Sequence, residues 1–102
     1  MKEAKIREIL DGFYARLYAE LGYPMHISFD PCKELVIVCV YLVPTAESKR
    51  TKKRILEMKK GLPEDWLMEI FTCSKEELES DYPELYGEIM SEYLYGREMR
   101  IW

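Results

Sequence analysis

The sequence contains no asparagine and no glutamine, and only three cysteines. The missing amides, together with plentiful Glu, Lys and Arg, match the bias reported for hyperthermophile proteins. This bias predicts a hyperthermophile or one of its viruses as the source, with chance in a short chain as the alternative. Cys32, Cys39 and Cys73 are odd in number and show no close paired spacing. They therefore indicate neither a disulfide framework nor a zinc finger.

Long apolar runs are also absent from the sequence. The longest uninterrupted run covers residues 35–43, about half of what a membrane-spanning helix needs. The first ten residues mix charged and apolar side chains at helical spacing and lack the apolar stretch of a secretory signal. We therefore expect a cytoplasmic protein without a membrane partner. A chain of 102 residues can bury one hydrophobic core, so we expect a single domain over residues 1–102.

The first half of the chain shows one helical pattern and two strand patterns. Apolar residues three and four apart predict a helix over residues 2–21, ended by Gly22. Residues 25–29 alternate apolar and polar side chains, as a half-buried strand does, and residues 30–33 form a predicted turn. Residues 35–43 are apolar on both alternating faces, which predicts a central strand covered on both sides.

The second half shows helix, strand and helix patterns. We predict a basic amphipathic helix over residues 45–60 and a third strand over residues 66–72. Ser74 and Glu77 match a capping box at the start of a short helix, and Pro83 suits the first position of a last helix. The order α-β-β-α-β-α predicts an α/β (α+β) fold in which helices cover a small mixed sheet containing a hairpin.

Two segments resemble each other in the order of their residues: LGYPMHISFDPCKEL and KGLPEDWLMEIFTCSKEEL. Each contains a helix end, Gly-x-Pro, a predicted strand, Cys, Lys-Glu and Leu. This pattern leads to the hypothesis that a helix–strand unit has been duplicated. The alternative is that unrelated units share these residues, because Gly commonly ends helices and Pro commonly precedes strands.

Two longer segments carry a resemblance to a known family: KELVIVCVYLVPTAESKRTKKRI and WLMEIFTCSKEELESDYPELYGEIMSEYLYGRE. They resemble the second half of the minimal nucleotidyltransferases, small relatives of the DNA polymerase beta superfamily. In that family a Gly-Ser turn precedes an Asp-x-Asp strand, and a later strand supplies a third acidic residue. These carboxylates hold two Mg²⁺ ions that neutralise charge at the transferring phosphorus.

The resemblance implies an active site that has lost its ligands. Glu34 falls near one position of the Asp-x-Asp pair, and Glu69 falls near the third acidic position. The remaining position would be Val36 or Cys32, neither of which binds magnesium, and no Gly-Ser pair precedes the strand. Because two-metal chemistry needs its full ligand set, we expect vestigial residues, no catalysis and no cofactor.

His26, the single histidine, is the other candidate for site chemistry. With Asp30 and Cys32 it forms a set that matches no standard zinc spacing, so we expect no metal site there. It is also the sole candidate base for a catalytic Cys32. We instead interpret it as a solvent-facing residue of an edge strand.

Charge is distributed unevenly along the chain. Residues 45–63 contain seven basic and two acidic groups, whereas residues 64–102 contain three basic and eleven acidic groups. Five of the seven basic residues in residues 45–63 are predicted to form a basic patch on one helix: Lys49, Arg50, Lys52, Lys53 and Arg54. Such a patch can bind phosphates, or it can be a solvated face paired with the acidic segment. The net charge of −4 and the lack of a base-reading motif favour the second interpretation.

Eight tyrosines and two tryptophans are more aromatic residues than a core of this size needs. Tyrosine and tryptophan are enriched at protein interfaces. Four near the C-terminus are predicted to bind a partner: Tyr86, Tyr93, Tyr95 and Trp102. The leading hypothesis is therefore a non-catalytic module that binds a protein or peptide. The partner can be a second copy of the chain, which would give a homodimer. A residual Mg²⁺-dependent nucleotidyltransferase and a nucleic-acid-binding accessory protein are the alternatives.

Overall fold

The computed structural model describes residues 2–94, with side chains through Ser91. Its elements are α1 (Glu3–Leu21), β1 (Met25–Asp30), β2 (Leu35–Tyr41), α2 (Ser48–Met58), β3 (Leu67–Cys73), α3 (Lys75–Asp81) and α4 (Pro83–Leu94). Short 3-10 turns at Thr45–Glu47 and Lys59–Gly61 flank α2. The predicted α+β fold is confirmed, with two final helices instead of one in the element order. No helix within residues 2–94 is long and apolar enough to cross a membrane.

The three strands form one mixed sheet in the order β1-β2-β3. β1 pairs with β2 in an antiparallel hairpin, and β3 pairs with β2 in parallel. Val38 is central, because it faces Ile27 on one side and Ile70 on the other. The prediction of a central strand is confirmed. β2 ends at Tyr41, before the predicted end at residue 43, and Leu42 has a φ of 64° that no strand accommodates.

The main core lies on one face of this sheet, under α1 and α2. Val36, Val38 and Val40 of β2 are fully buried there. Further fully or nearly buried members of the same cluster come from both helices, β1 and the loop before β3: Leu10, Phe13, Tyr14, Leu17, Met25, Ile27, Ile55, Leu62 and Trp66. Burial of these side chains provides most of the hydrophobic stabilisation, at about 1.5–3 kcal/mol for each large one.

The opposite face of the sheet is only partly covered. A second, smaller cluster contains Tyr41, Leu78 of α3 and Ile89 of α4. Among the described residues, these helices therefore cover the end of the sheet at Tyr41, while Leu35 and Ile37 remain half-exposed. The expectation that β2 is covered on both sides is thus wrong for the half of this face that contains Leu35 and Ile37.

Local signals in the sequence explain where two helices begin and end. Gly22 follows α1 with a φ of 72°, and its N–H donates to the Tyr18 carbonyl at 2.8 Å. Before α3, the Ser74 hydroxyl accepts the Glu77 N–H and the Glu77 carboxylate accepts the Ser74 N–H, each at 3.2 Å. The predicted helix end at Gly22 and the predicted capping box are both present.

The two similar sequence segments lie on opposite sides of β2. Each contributes an edge strand, β1 in one case and β3 in the other. The two edge strands run in opposite directions, and Ile27 and Ile70 both face Val38. This placement is compatible with two related units around β2. Duplication stays a hypothesis.

Candidate functional site

An uncovered area of the sheet is the most prominent surface feature of the described chain. Alternate side chains of β2 and β3 point to the face opposite the main core, and five of them are half-exposed or exposed and do not belong to the Tyr41 cluster: Leu35, Ile37, Leu67, Glu69 and Phe71. We call these five residues the open face. Leu67 is 59% exposed and Phe71 is 53% exposed.

The apolar residues of the open face do not belong to the packed interior. None of the four is a member of either hydrophobic cluster formed by the described residues. The register explains their proximity, because Leu35 faces Leu67 and Ile37 faces Glu69 across the β2–β3 pair. Isolated apolar residues are normal on a surface, but adjacent ones form a patch of the type found at interaction sites.

The charged groups on and beside the open face are mostly carboxylates. Glu69 is exposed and faces Ile37, so a negative charge lies among the apolar side chains. Asp30 lies opposite Leu35, and its carboxylate accepts the N–H of Cys32 at 3.0 Å in the hairpin turn. The acidic helices α3 and α4 border the other end. The surface therefore favours apolar ligands that also carry positive charge.

A cleft adjoins the open face where the sheet meets α3 and α4. Its volume is about 470 Å³. Six of its lining residues matter for its chemistry: Cys39, Phe71, Cys73, Glu77, Asp81 and Tyr82. Phe71 belongs both to this cleft and to the open face, so the two form one continuous surface.

The two thiols of the cleft are poor nucleophiles. Burial raises the pKa of Cys73, and the carboxylates of Glu77 and Asp81 raise it further by disfavouring a thiolate. Burial also raises the pKa of Cys39. Cys39 faces Phe71 while Cys73 faces Tyr41, so the two cysteines are two residues out of register. Their Cα atoms are about 8 Å apart by strand geometry, too far for a disulfide.

His26 lies at the inner edge of this region, in contact with Tyr41. Its Nδ1 and the Tyr41 hydroxyl are hydrogen-bonded at 2.9 Å, and the two rings meet edge to face. Burial lowers the pKa of His26, and the Glu88 carboxylate partly offsets this effect. Burial also raises the pKa of Tyr41. His26 is thus half-buried and hydrogen-bonded, in contrast to the solvent-facing residue that we expected.

The structure separates the two carboxylates of the predicted vestigial site. Glu34 lies in the hairpin turn with a φ of 50°, and Glu69 lies in the middle of β3. They are offset by three residues, or about 10 Å along the strand direction. Two metal ions of a phosphoryl-transfer site lie about 3.5–4 Å apart. Within the described residues, no three His, Cys, Asp or Glu side chains could hold a metal ion.

The predicted basic patch lies on α2, and part of its charge is already paired. Arg50 forms an ion pair with Glu47, and Arg54 forms one with Glu20 of α1. Lys49 and Lys53 are exposed. The carboxylates that pair with these two arginines come from the first half of the chain, and the predicted acidic segment, residues 64–102, supplies neither of them. The described acidic helices α3 and α4 lie across the opposite face of the sheet.

The predicted aromatic partner site is described only in part. Tyr86 is half-buried and packs against the small cluster around Tyr41. The side chain of Tyr93, and Tyr95 and Trp102 entirely, lie outside the described residues. Sequence analysis missed Leu67 and Phe71 as surface residues. Both occupy alternate positions of the strand predicted over residues 66–72, and that prediction did not specify which face of the strand is covered.

Comparisons with known proteins add no relative. No protein-family model, no curated protein and no solved structure matches the chain significantly.

Proposed function

We propose that this protein is a non-catalytic module that binds a partner protein through the open face. The binding segment of the partner carries apolar side chains together with lysine or arginine. The resemblance to minimal nucleotidyltransferases suggests an origin for the fold. That origin stays a prediction, and the proposed binding function does not depend on it.

The exposure of Leu67 and Phe71 is the observation that supports the proposal most strongly. Two large apolar side chains, each more than half exposed, occupy one edge strand of a small sheet. A partner that covers them gains about 25 cal/mol for each Å² of apolar area removed from water. Aromatic residues such as Phe71 often concentrate the binding energy of an interface.

The charge of the surface indicates the chemistry of the partner. Glu69, Glu77 and Asp81 place carboxylates on the open face or in the adjoining cleft. A basic partner segment is attracted to this surface and associates faster, while an acidic segment is repelled.

A second copy of the chain fits this surface less well. Two open faces packed together would bring Glu69 and the neighbouring acidic helices of both copies toward each other. The basic helix α2 of another copy offers a single exposed large apolar side chain, Leu56, because Thr51 and Ile55 are already buried in its own core. We therefore assign the open face to a different protein.

Selection from a library of displayed peptides tests the proposal without a known partner. The full chain is immobilised, and we expect enriched peptides that combine apolar residues with lysine or arginine. A synthetic copy of the strongest peptide should bind Leu67→Glu at least about tenfold more weakly than wild type, a loss of about 1.4 kcal/mol.

Leu56→Glu is the matched control. Leu56 is 54% exposed, but it lies on α2, away from the open face. The control variant should bind the peptide as wild type does. The proposal is wrong if no basic apolar peptide is enriched, or if Leu56→Glu weakens binding as much as Leu67→Glu. It is also wrong if wild type is a dimer that Leu67→Glu dissociates, because a second copy then covers the open face.

A further inference from the structure

The cleft beside the open face combines exposed aromatic rings with carboxylates. Phe71 and Tyr82, which are 53% and 60% exposed, supply aromatic surface at the cleft. Glu77 and Asp81, one helical turn apart on α3, supply carboxylates to the same cleft. Aromatic rings and carboxylates both attract cations, and the planar guanidinium of arginine suits both.

Of the two carboxylates in the cleft, Asp81 is the one available to bind a cation. Glu77 already accepts the N–H of Ser74 in the capping box. Asp81 makes no hydrogen bond or ion pair with the described residues. Asp81 and Cys73 both line the cleft, and the neutral thiols add no competing negative charge.

We propose that the cleft binds an arginine side chain of the partner segment, with the guanidinium between the aromatic surface of Phe71 and Tyr82 and the carboxylate of Asp81. This inference rests on the proposed function, because it identifies the basic anchor of the segment that covers the open face. It places the arginine of the partner segment at the end of the open face nearest to α3.

The test uses two small probes, N-acetyl-arginine amide and its neutral isostere N-acetyl-citrulline amide. Protein with labelled phenylalanine and tyrosine is titrated with each probe and followed by NMR. The signals of Phe71 and Tyr82 should shift saturably with the arginine probe and stay unchanged with the citrulline probe. Asp81→Asn should weaken the arginine probe at least about threefold, and Tyr82→Leu should weaken it as well.

Two control variants separate this inference from the proposed function. Glu76→Gln removes the same charge from α3 at a residue that does not line the cleft, so it should leave binding of the arginine probe unchanged. Leu67→Glu should also leave binding of the arginine probe unchanged, although it weakens binding of the selected peptide. Equal shifts from both probes, or an equal effect of Glu76→Gln and Asp81→Asn, would overturn the cleft assignment. The open face could still bind its peptide in that case, and the proposed function would stand.

Discussion

Burial and a hydrogen bond determine the position and the protonation of His26. The hydrogen bond to Tyr41 and the nearby Glu88 connect β1, β2 and α4 through one imidazole ring. Burial disfavours the charged ring, so the pKa of His26 lies below its ordinary value of 6.5 in the folded chain. At a pH between the lowered pKa of the folded chain and the ordinary pKa of 6.5, His26 carries more bound protons in the unfolded chain than in the folded chain. Stability contributed by neutral His26 is therefore complete above pH 6.5 and is lost as the pH falls through this window.

The pKa of His26 can be measured directly, because it is the single histidine of the chain. We expect an NMR titration of the imidazole to give a value below 6.5. Glu88→Gln should lower the pKa further, because the carboxylate favours the protonated ring. Glu84→Gln on the same helix is the control and should leave the pKa unchanged. A value at or above 6.5 would contradict the burial of His26, and equal shifts in both variants would contradict the proximity of Glu88 to the imidazole.

At the scale of elements, the pattern of apolar residues predicted most of the fold. The three strands begin within one residue of their predicted positions, and Ser74 and Gly22 mark helix boundaries as expected. The extent to which a sheet face is covered was not predictable in this way. A strand that is apolar at every position indicates two apolar faces, but it does not show how far neighbouring helices extend over them. The same limit applies to β3, where Leu67 and Phe71 share a face with Glu69, so their exposure was not predicted.

The capping box makes the start of α3 sensitive to one hydroxyl group. Ser74 is almost fully buried, and its side chain accepts the N–H of Glu77. We expect Ser74→Ala to lower the free energy of unfolding by about 1 kcal/mol. The measurement is urea denaturation of both proteins at neutral pH.

Two further variants make the capping prediction specific. Ser80→Ala changes an exposed serine of α3 outside the cap and should alter stability by less than about 0.5 kcal/mol. Glu77→Gln keeps a side-chain oxygen for the Ser74 N–H, so it should cost less than Ser74→Ala. If Ser74→Ala and Ser80→Ala have the same effect, the cap does not stabilise α3.

At the scale of the whole molecule, the sheet divides two surfaces of different character. α1 and the basic helix α2 cover the face that contains the main core, and the acidic helices α3 and α4 cover one end of the other. This asymmetry supports the proposed function, because the half of the face that residues 2–94 leave uncovered is both apolar and acidic. The β2–β3 register, in turn, separates Glu34 from Glu69, the two carboxylates that the family resemblance implied.

The separation of Glu34 and Glu69 predicts how the whole protein behaves toward nucleotides. We expect isothermal titration with ATP and Mg²⁺ to show no binding at micromolar concentrations, because the two carboxylates cannot share a pair of metal ions. Wild type and the double variant Glu34→Gln with Glu69→Gln should give the same result. Mg²⁺-dependent binding by wild type that the double variant lacks would support the residual nucleotidyltransferase instead.

Locating the strongest selected peptide on the protein tests whether the open face is the binding surface. Intermolecular nuclear Overhauser effects can be measured between the peptide and the methyl and ring protons of the labelled chain. We predict contacts from the peptide to Leu35, Ile37, Leu67 and Phe71, and none to Leu56 on α2. Contacts confined to α2, with the open face unchanged, would contradict the claim that the uncovered sheet is the binding surface.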